Sequence, residues 1–121
     1  MTLAMIPLVL GLLLAAALPA TAQPVQITLM HLSDTHSHLA AWGPKDANLD
    51  GTLGGLPKVA AIVAAERISD PNTLFVHAGD VMDGDFFFNE YLGVDEFLLL
   101  REIGLDAFVP GNHEWRFGPG F

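Results

Sequence analysis

Three short apolar runs, at residues 26–32, 73–78 and 106–110, each break off into a loop rich in Gly, Asp, Asn or His. Their length and their β-branched and aromatic content predict strands. Two longer segments between them predict helices. The first, residues 56–68, carries Pro57 in its first turn, where a missing N–H costs nothing. Its apolar face includes Leu56, Val59, Ala60, Val63 and Ala64, and Ser69-Asp70-Pro71-Asn72 ends it. The second, residues 86–101, takes apolar mass from Phe97, Leu98 and Leu100 and has Gly93 as its weak point. An order of strand, helix, strand, helix, strand predicts an α/β fold with a parallel sheet and right-handed crossovers. In such a sheet the strand ends all point to one edge, where loops far apart in sequence become neighbours.

That edge collects the chemistry of the chain. Asp34 and His36 follow the first strand, Asp80 follows the second, and Asn112 and His113 follow the third. A carboxylate and an imidazole two residues apart can reach one centre, and O/N donors of this kind suit Zn, Fe or Mn. Gly79 lets the chain turn sharply before Asp80. One carboxylate can bridge two cations, and paired metals suit phosphoester cleavage. Asn112 can ligate without adding charge, and His113, turned toward substrate, can donate a proton to a leaving oxygen.

Each residue also has a plainer reading. Asp34-Thr35-His36 fits a solvated loop equally well. Asp80, Asp83 and Asp85 can form an acidic turn, although Met82 breaks the calcium-loop pattern. Within that group Asp83 and Asp85 read as surface or supporting residues. Pro110-Gly111-Asn112 can be a turn with an incidental His. His113-Glu114 does not continue into a metalloprotease motif, since Phe117 stands where the second His belongs. His31 and His77 fall inside strands and read as packed or hydrogen-bonded residues, while His38 reads as a group that orients a ligand. Phe86-Phe87-Phe88 reads as core more readily than as a base-stacking platform.

Residues 3–18 are almost wholly apolar, and Ala20-Thr21-Ala22 supplies a small-x-small cleavage signal. Residues 1–22 therefore read as a signal peptide of an exported protein, periplasmic or secreted. A membrane anchor is the competing reading, but the stretch falls short of the ~20 residues of a span and contains Pro7 and Gly11. All 14 acidic and 5 basic residues follow the leader, giving a net charge of −9. Such a surface argues against nucleic-acid polymers and anionic membranes. With no cysteine, disulfides and thiolate ligands are excluded.

Three ordered blocks carry a resemblance. They are Leu29-Met30-His31-Leu32-Ser33-Asp34-Thr35-His36-Ser37-His38-Leu39, then Phe75-Val76-His77-Ala78-Gly79-Asp80-Val81-Met82-Asp83-Gly84-Asp85, then Leu105-Asp106-Ala107-Phe108-Val109-Pro110-Gly111-Asn112-His113-Glu114. Together they resemble the calcineurin-like metallophosphoesterases, in particular the exported 5′-nucleotidase and UDP-sugar hydrolase branch. The resemblance implies that residues 23–121 form the N-terminal portion of a four-layer α/β/β/α sandwich. It implies two divalent metal ions, with Asp34 and His36 holding one, Asp80 bridging both, and Asn112 helping to hold the second. It also implies that His113 stabilises the transition state or aids the leaving group, and that the substrate is a nucleotide or another small phosphoester.

The departures from that family are specific. Its Gly-His-x-His motif has no counterpart, because no histidine follows His113. Two residues after Glu114, where the branch often places an Asp paired with the catalytic His, this chain has Arg116. Arg116 could instead bind phosphate. The base- and sugar-binding C-terminal domain is the missing partner, so a fragment or truncated product that hydrolyses little alone is expected. Two rivals stay open. One keeps the metal centre and changes the substrate to a diester or sulfur ester. The other is a non-catalytic exported metal-binding protein.

Overall fold

The computed structural model describes residues 22–44, 48 and 50–118. Residues 1–21, nearly all of the expected leader, lie outside the described residues. In chain order the elements are β1 (Thr28–Leu32), α1 (Leu56–Ser69), β2 (Thr73–His77), α2 (Phe86–Tyr91), α3 (Val94–Ile103) and β3 (Ala107–Phe108), followed by a 3-10 turn at His113–Trp115.

The strands form one parallel sheet in the order β1-β2-β3. Thr28 pairs with Thr73 and Leu32 with His77, while Val76 and His77 pair with Ala107 and Phe108. Strand geometry sends alternate side chains to opposite faces. Met30 and Leu32 of β1, Phe75 of β2 and Phe108 of β3 accordingly turn toward the helices. Because α1 packs on α3, both crossovers cover the same face. The core between them holds Leu39, Leu56, Val63, Phe75, Val81, Met82, Phe88 and Leu100. Burying a side chain of the Phe75 or Leu100 kind is worth about 1.5–3 kcal/mol. Leu29 and Leu74 point from the opposite face into solvent. The described residues thus contain a helix layer and one sheet of the four layers that the family resemblance implies.

Local chemistry fixes the connections. Asp70 ends α1 and ties it to both strands it joins: Thr28 Oγ1 donates to Asp70 Oδ2 at 2.8 Å, and Thr73 Oγ1 donates to Asp70 O at 2.7 Å. Arg67, in the last turn of α1, donates to the Ile103 and Gly104 carbonyls at the end of α3. It also donates to Asp106, whose carboxylate accepts from Phe75 N–H at 2.8 Å. One guanidinium therefore satisfies a helix C-terminus and braces the approach to β3.

The single helix predicted over residues 86–101 is two helices. Leu92 and Gly93 both take left-handed conformations, at φ 55° and 91°. A Cβ at Gly93 would come within 2.3 Å of Met82 Sδ, so the break lets the chain close on the core.

Glu96 of α3 is wholly buried, and no hydrogen bond reaches either of its oxygens. Ser37 lies near the carboxyl without hydrogen-bond geometry. Burial, reinforced by Asp95, raises the Glu96 pKa. A carboxyl whose folded pKa exceeds its unfolded one contributes stability below the unfolded value and loses it as pH rises through the folded value. Glu96→Gln is therefore expected to raise the urea midpoint at about pH 8 and to lose that gain near about pH 4. Equal shifts at both pH values would contradict the assignment.

Candidate metal centre

The loops after β1, β2 and β3 are joined into one shelf. Asp34 N–H donates to Gly79 O at 3.0 Å, His36 N–H to Asp80 O at 3.1 Å, and Ser37 N–H to Val81 O at 2.8 Å. These bonds carry the β1–β2 pairing past the strands into the loops. Gly79 lies against Gly111: a Cβ on residue 79, at φ 97°, would meet Gly111 N at 2.3 Å. Only two glycines back to back allow the second and third loops this close. Asp34, His36, Ser37, Asp80 and Asp83 all adopt positive φ, between 44° and 66°. Such a concentration of left-handed non-glycine residues marks a site whose geometry is imposed by its surroundings.

Glu114 is the anchor that sequence reasoning passed over. Its Oε2 accepts from Asp80 N–H at 2.9 Å and Gly111 N–H at 2.6 Å. Its Oε1 accepts from Val81 N–H at 2.7 Å and Met82 N–H at 3.3 Å. One carboxylate thus satisfies four backbone donors from two loops. The available signal was its position next to Asn112-His113, yet three of the donors it serves lie more than thirty residues away.

His36, Asp80 and His113 converge. Each offers one ligand atom, and these atoms lie within 4.8 Å of one another. Asp80 Oδ1 also accepts from His113 N–H at 2.9 Å, which ties the carboxylate to the third loop. The two imidazoles meet edge to face with centroids 4.7 Å apart. Asp34 is largely exposed, and its Oδ1 lies 4.0 Å from His36 Nε2, at the border of the cluster. Asn112 is exposed and leads directly into the 3-10 turn that begins at His113. Two imidazoles and a carboxylate are a donor set that fits a borderline divalent cation such as Zn, Mn or Fe.

The surrounding histidines divide by role. His77 is buried, accepts from Gly79 N–H at Nδ1 and contacts Thr35 Oγ1 through Nε2. Its pKa is lowered, chiefly by burial, with Glu114 opposing the shift. It acts as a neutral strut under the first two loops. His38 Nδ1 contacts the carbonyls of His36 and Thr35, at 2.9 and 3.2 Å, and so braces the backbone of His36. His31 is exposed on β1, outside the cluster. Phe88 belongs to the core while Phe86 is exposed.

The family model of the calcineurin-like phosphoesterases matches residues 27–121. The chain belongs to this family. It is 33% identical to the 5′-nucleotidase of Bos taurus over 110 residues, which cover 88% of this chain and 19% of that protein. The 5′-nucleotidase precursor of Thermus thermophilus superposes with a TM-score of 0.68 and 34% identity, over 78% of this chain and 18% of that one. The NAD nucleotidase of Haemophilus influenzae superposes with a TM-score of 0.62 and 25% identity, over 75% and 17% of the two chains. The chain spans about a fifth of the length of these relatives. Proteins of this family use divalent metals. No helix among the described residues is long and apolar enough to cross a membrane.

Proposed function

We propose that this chain supplies the first metal-binding half of an exported phosphoesterase acting on nucleotides or related small phosphate esters. The observation that carries the reading is the convergence of His36, Asp80 and His113 at the edge of the parallel sheet. In this reading Asp34 and His36 would hold one divalent ion, Asp80 would be shared with a second, and Asn112 would help to hold that second ion. When bound, such ions supply Lewis acidity and lower the pKa of water. In the same reading His113, whose backbone N–H donates to Asp80 Oδ1, gives a proton to the leaving oxygen. The nucleotide preference is supported by the 5′-nucleotidases among the relatives. The apolar segment at residues 3–18 supports export. Base and sugar recognition belongs to a further part of the same enzyme.

The test is metal removal and return on the protein purified from its host. Chelation is expected to abolish phosphate release from nucleoside 5′-monophosphates, and Zn, Mn or Fe to restore it. Undiminished hydrolysis after all metal has been stripped would exclude the proposed chemistry.

A further inference from the structure

We propose that Asp83 is the positioning residue of this site, fixing the tautomers of His36 and His113 together. Its backbone carbonyl lies 2.7 Å from His36 Nδ1, and its carboxylate Oδ2 lies 3.1 Å from His113 Nδ1. A carbonyl or an ionised carboxylate can only accept, so each ring must carry its proton on Nδ1. Nε2 is then the ring atom left to serve the cluster with Asp80, as a ligand from His36 and as the atom through which His113 takes up and gives its proton. A single residue thereby sets the donor atom of two imidazoles that come from different loops.

The surroundings hold Asp83 to that task. Its side chain is 18% exposed, and Arg116 Nη1 contacts the same Oδ2 that faces His113. The arginine therefore pins the carboxylate and spends its charge there. Asp83 itself is at φ 66°, a left-handed conformation that lets carbonyl and side chain address both rings. The next residue, Gly84, approaches so closely that a Cβ there would lie 2.8 Å from His36 Cβ. Through Asp83 the loop after β2 engages the loops that follow β1 and β3.

Ring orientation and tautomer stand on these contacts alone, while the effect on turnover rests on the function proposed above. The experiment is a two-bond proton–nitrogen correlation spectrum of the full-length, metal-free protein with labelled histidine. It is recorded at about pH 8, where an ordinary imidazole is neutral. The wild-type protein is expected to show Nδ1–H for both rings. In Asp83→Ala, His113 is expected to shift toward Nε2–H while His36 keeps its backbone acceptor and stays unchanged. Asp83→Asn retains an accepting oxygen, so His113 is expected to keep Nδ1–H in part. An Nε2–H tautomer for His113 in the wild-type protein overturns the proposal without any variant being needed.

In the metal-loaded enzyme, Asp83→Ala is expected to lower kcat by about 10–100-fold, the usual effect of losing a partner of a metal-site histidine, with KM little changed. Asp83→Asn should recover part of that loss. A kcat for Asp83→Ala equal to wild type also overturns the proposal. A wild-type protein with no phosphoesterase activity would refute the function and leave the tautomer result to be judged by the spectrum.

Discussion

In the full-length enzyme proposed above, Asp80→Ala is expected to abolish metal-dependent hydrolysis, with a loss greater than the roughly 10–100-fold typical of removing an outer partner. The expectation follows from how many tasks converge on one side chain. Asp80 lies within 4.8 Å of both imidazole donors, and its Oδ1 already holds the His113 N–H. In the proposed centre the same carboxylate would serve two cations, so its removal would take a ligand oxygen from each. Alanine would remove the ligand and release the third loop at once. Asp80→Asn separates these effects, because its amide oxygen can still accept from His113 while the negative charge is gone. The asparagine variant should fold like wild type and bind fewer equivalents of metal, read by elemental analysis after dialysis. Wild-type turnover by either variant would sink the bridging role.

The readable part of this structure was the part set by local pattern. The apolar runs gave three strands whose observed ends differ by a few residues from those predicted. Pro57 marked the first turn of α1, and Asp70 marked its end. Parallel pairing followed from the alternation of strands and helices, and it carried Asp34, His36, Asp80, Asn112 and His113 to a common edge. The illegible part depends on contacts between distant loops. Gly93 was legible as a weak point of the helix, but not that Met82 would pack against the break. Asp83 read as a surface or supporting carboxylate, and only the folded chain shows its oxygen between His113 and Arg116. Replacing the usual aspartate by Arg116 pointed to a His113 without a carboxylate partner. The structure supplies that partner from the loop after β2, and Arg116 becomes its clamp. No local pattern encodes a substitution of one loop's carboxylate by another's.

Glu114→Ala is expected to destabilise the protein by about 3–5 kcal/mol, among the largest effects a single substitution produces. Four backbone N–H groups converge on this carboxylate, two on each oxygen. Hydrogen bonds to a charged group are each worth about 1.5–3 kcal/mol, and a donor stranded in a half-buried loop adds a desolvation cost. Water entering the alanine gap recovers some of that energy, so the sum falls below four full bonds. Against a total stability of about 5–15 kcal/mol, the loss is a large fraction for a small domain. Glu114→Gln distinguishes charge from shape. Its amide oxygen can serve one pair of donors, but its NH2 would face the other pair and repel them. The glutamine variant should therefore fall between alanine and wild type in urea unfolding, at an unchanged slope. A shift below about 0.5 kcal/mol for alanine, the range of ordinary surface substitutions, would mean the four bonds hold nothing together. Loss of the anchor should also weaken metal binding in whatever protein still folds. Asp80 and Gly111 both hang from Glu114 Oε2, and without it the second and third loops lose the contact that sets Asp80 beside His113.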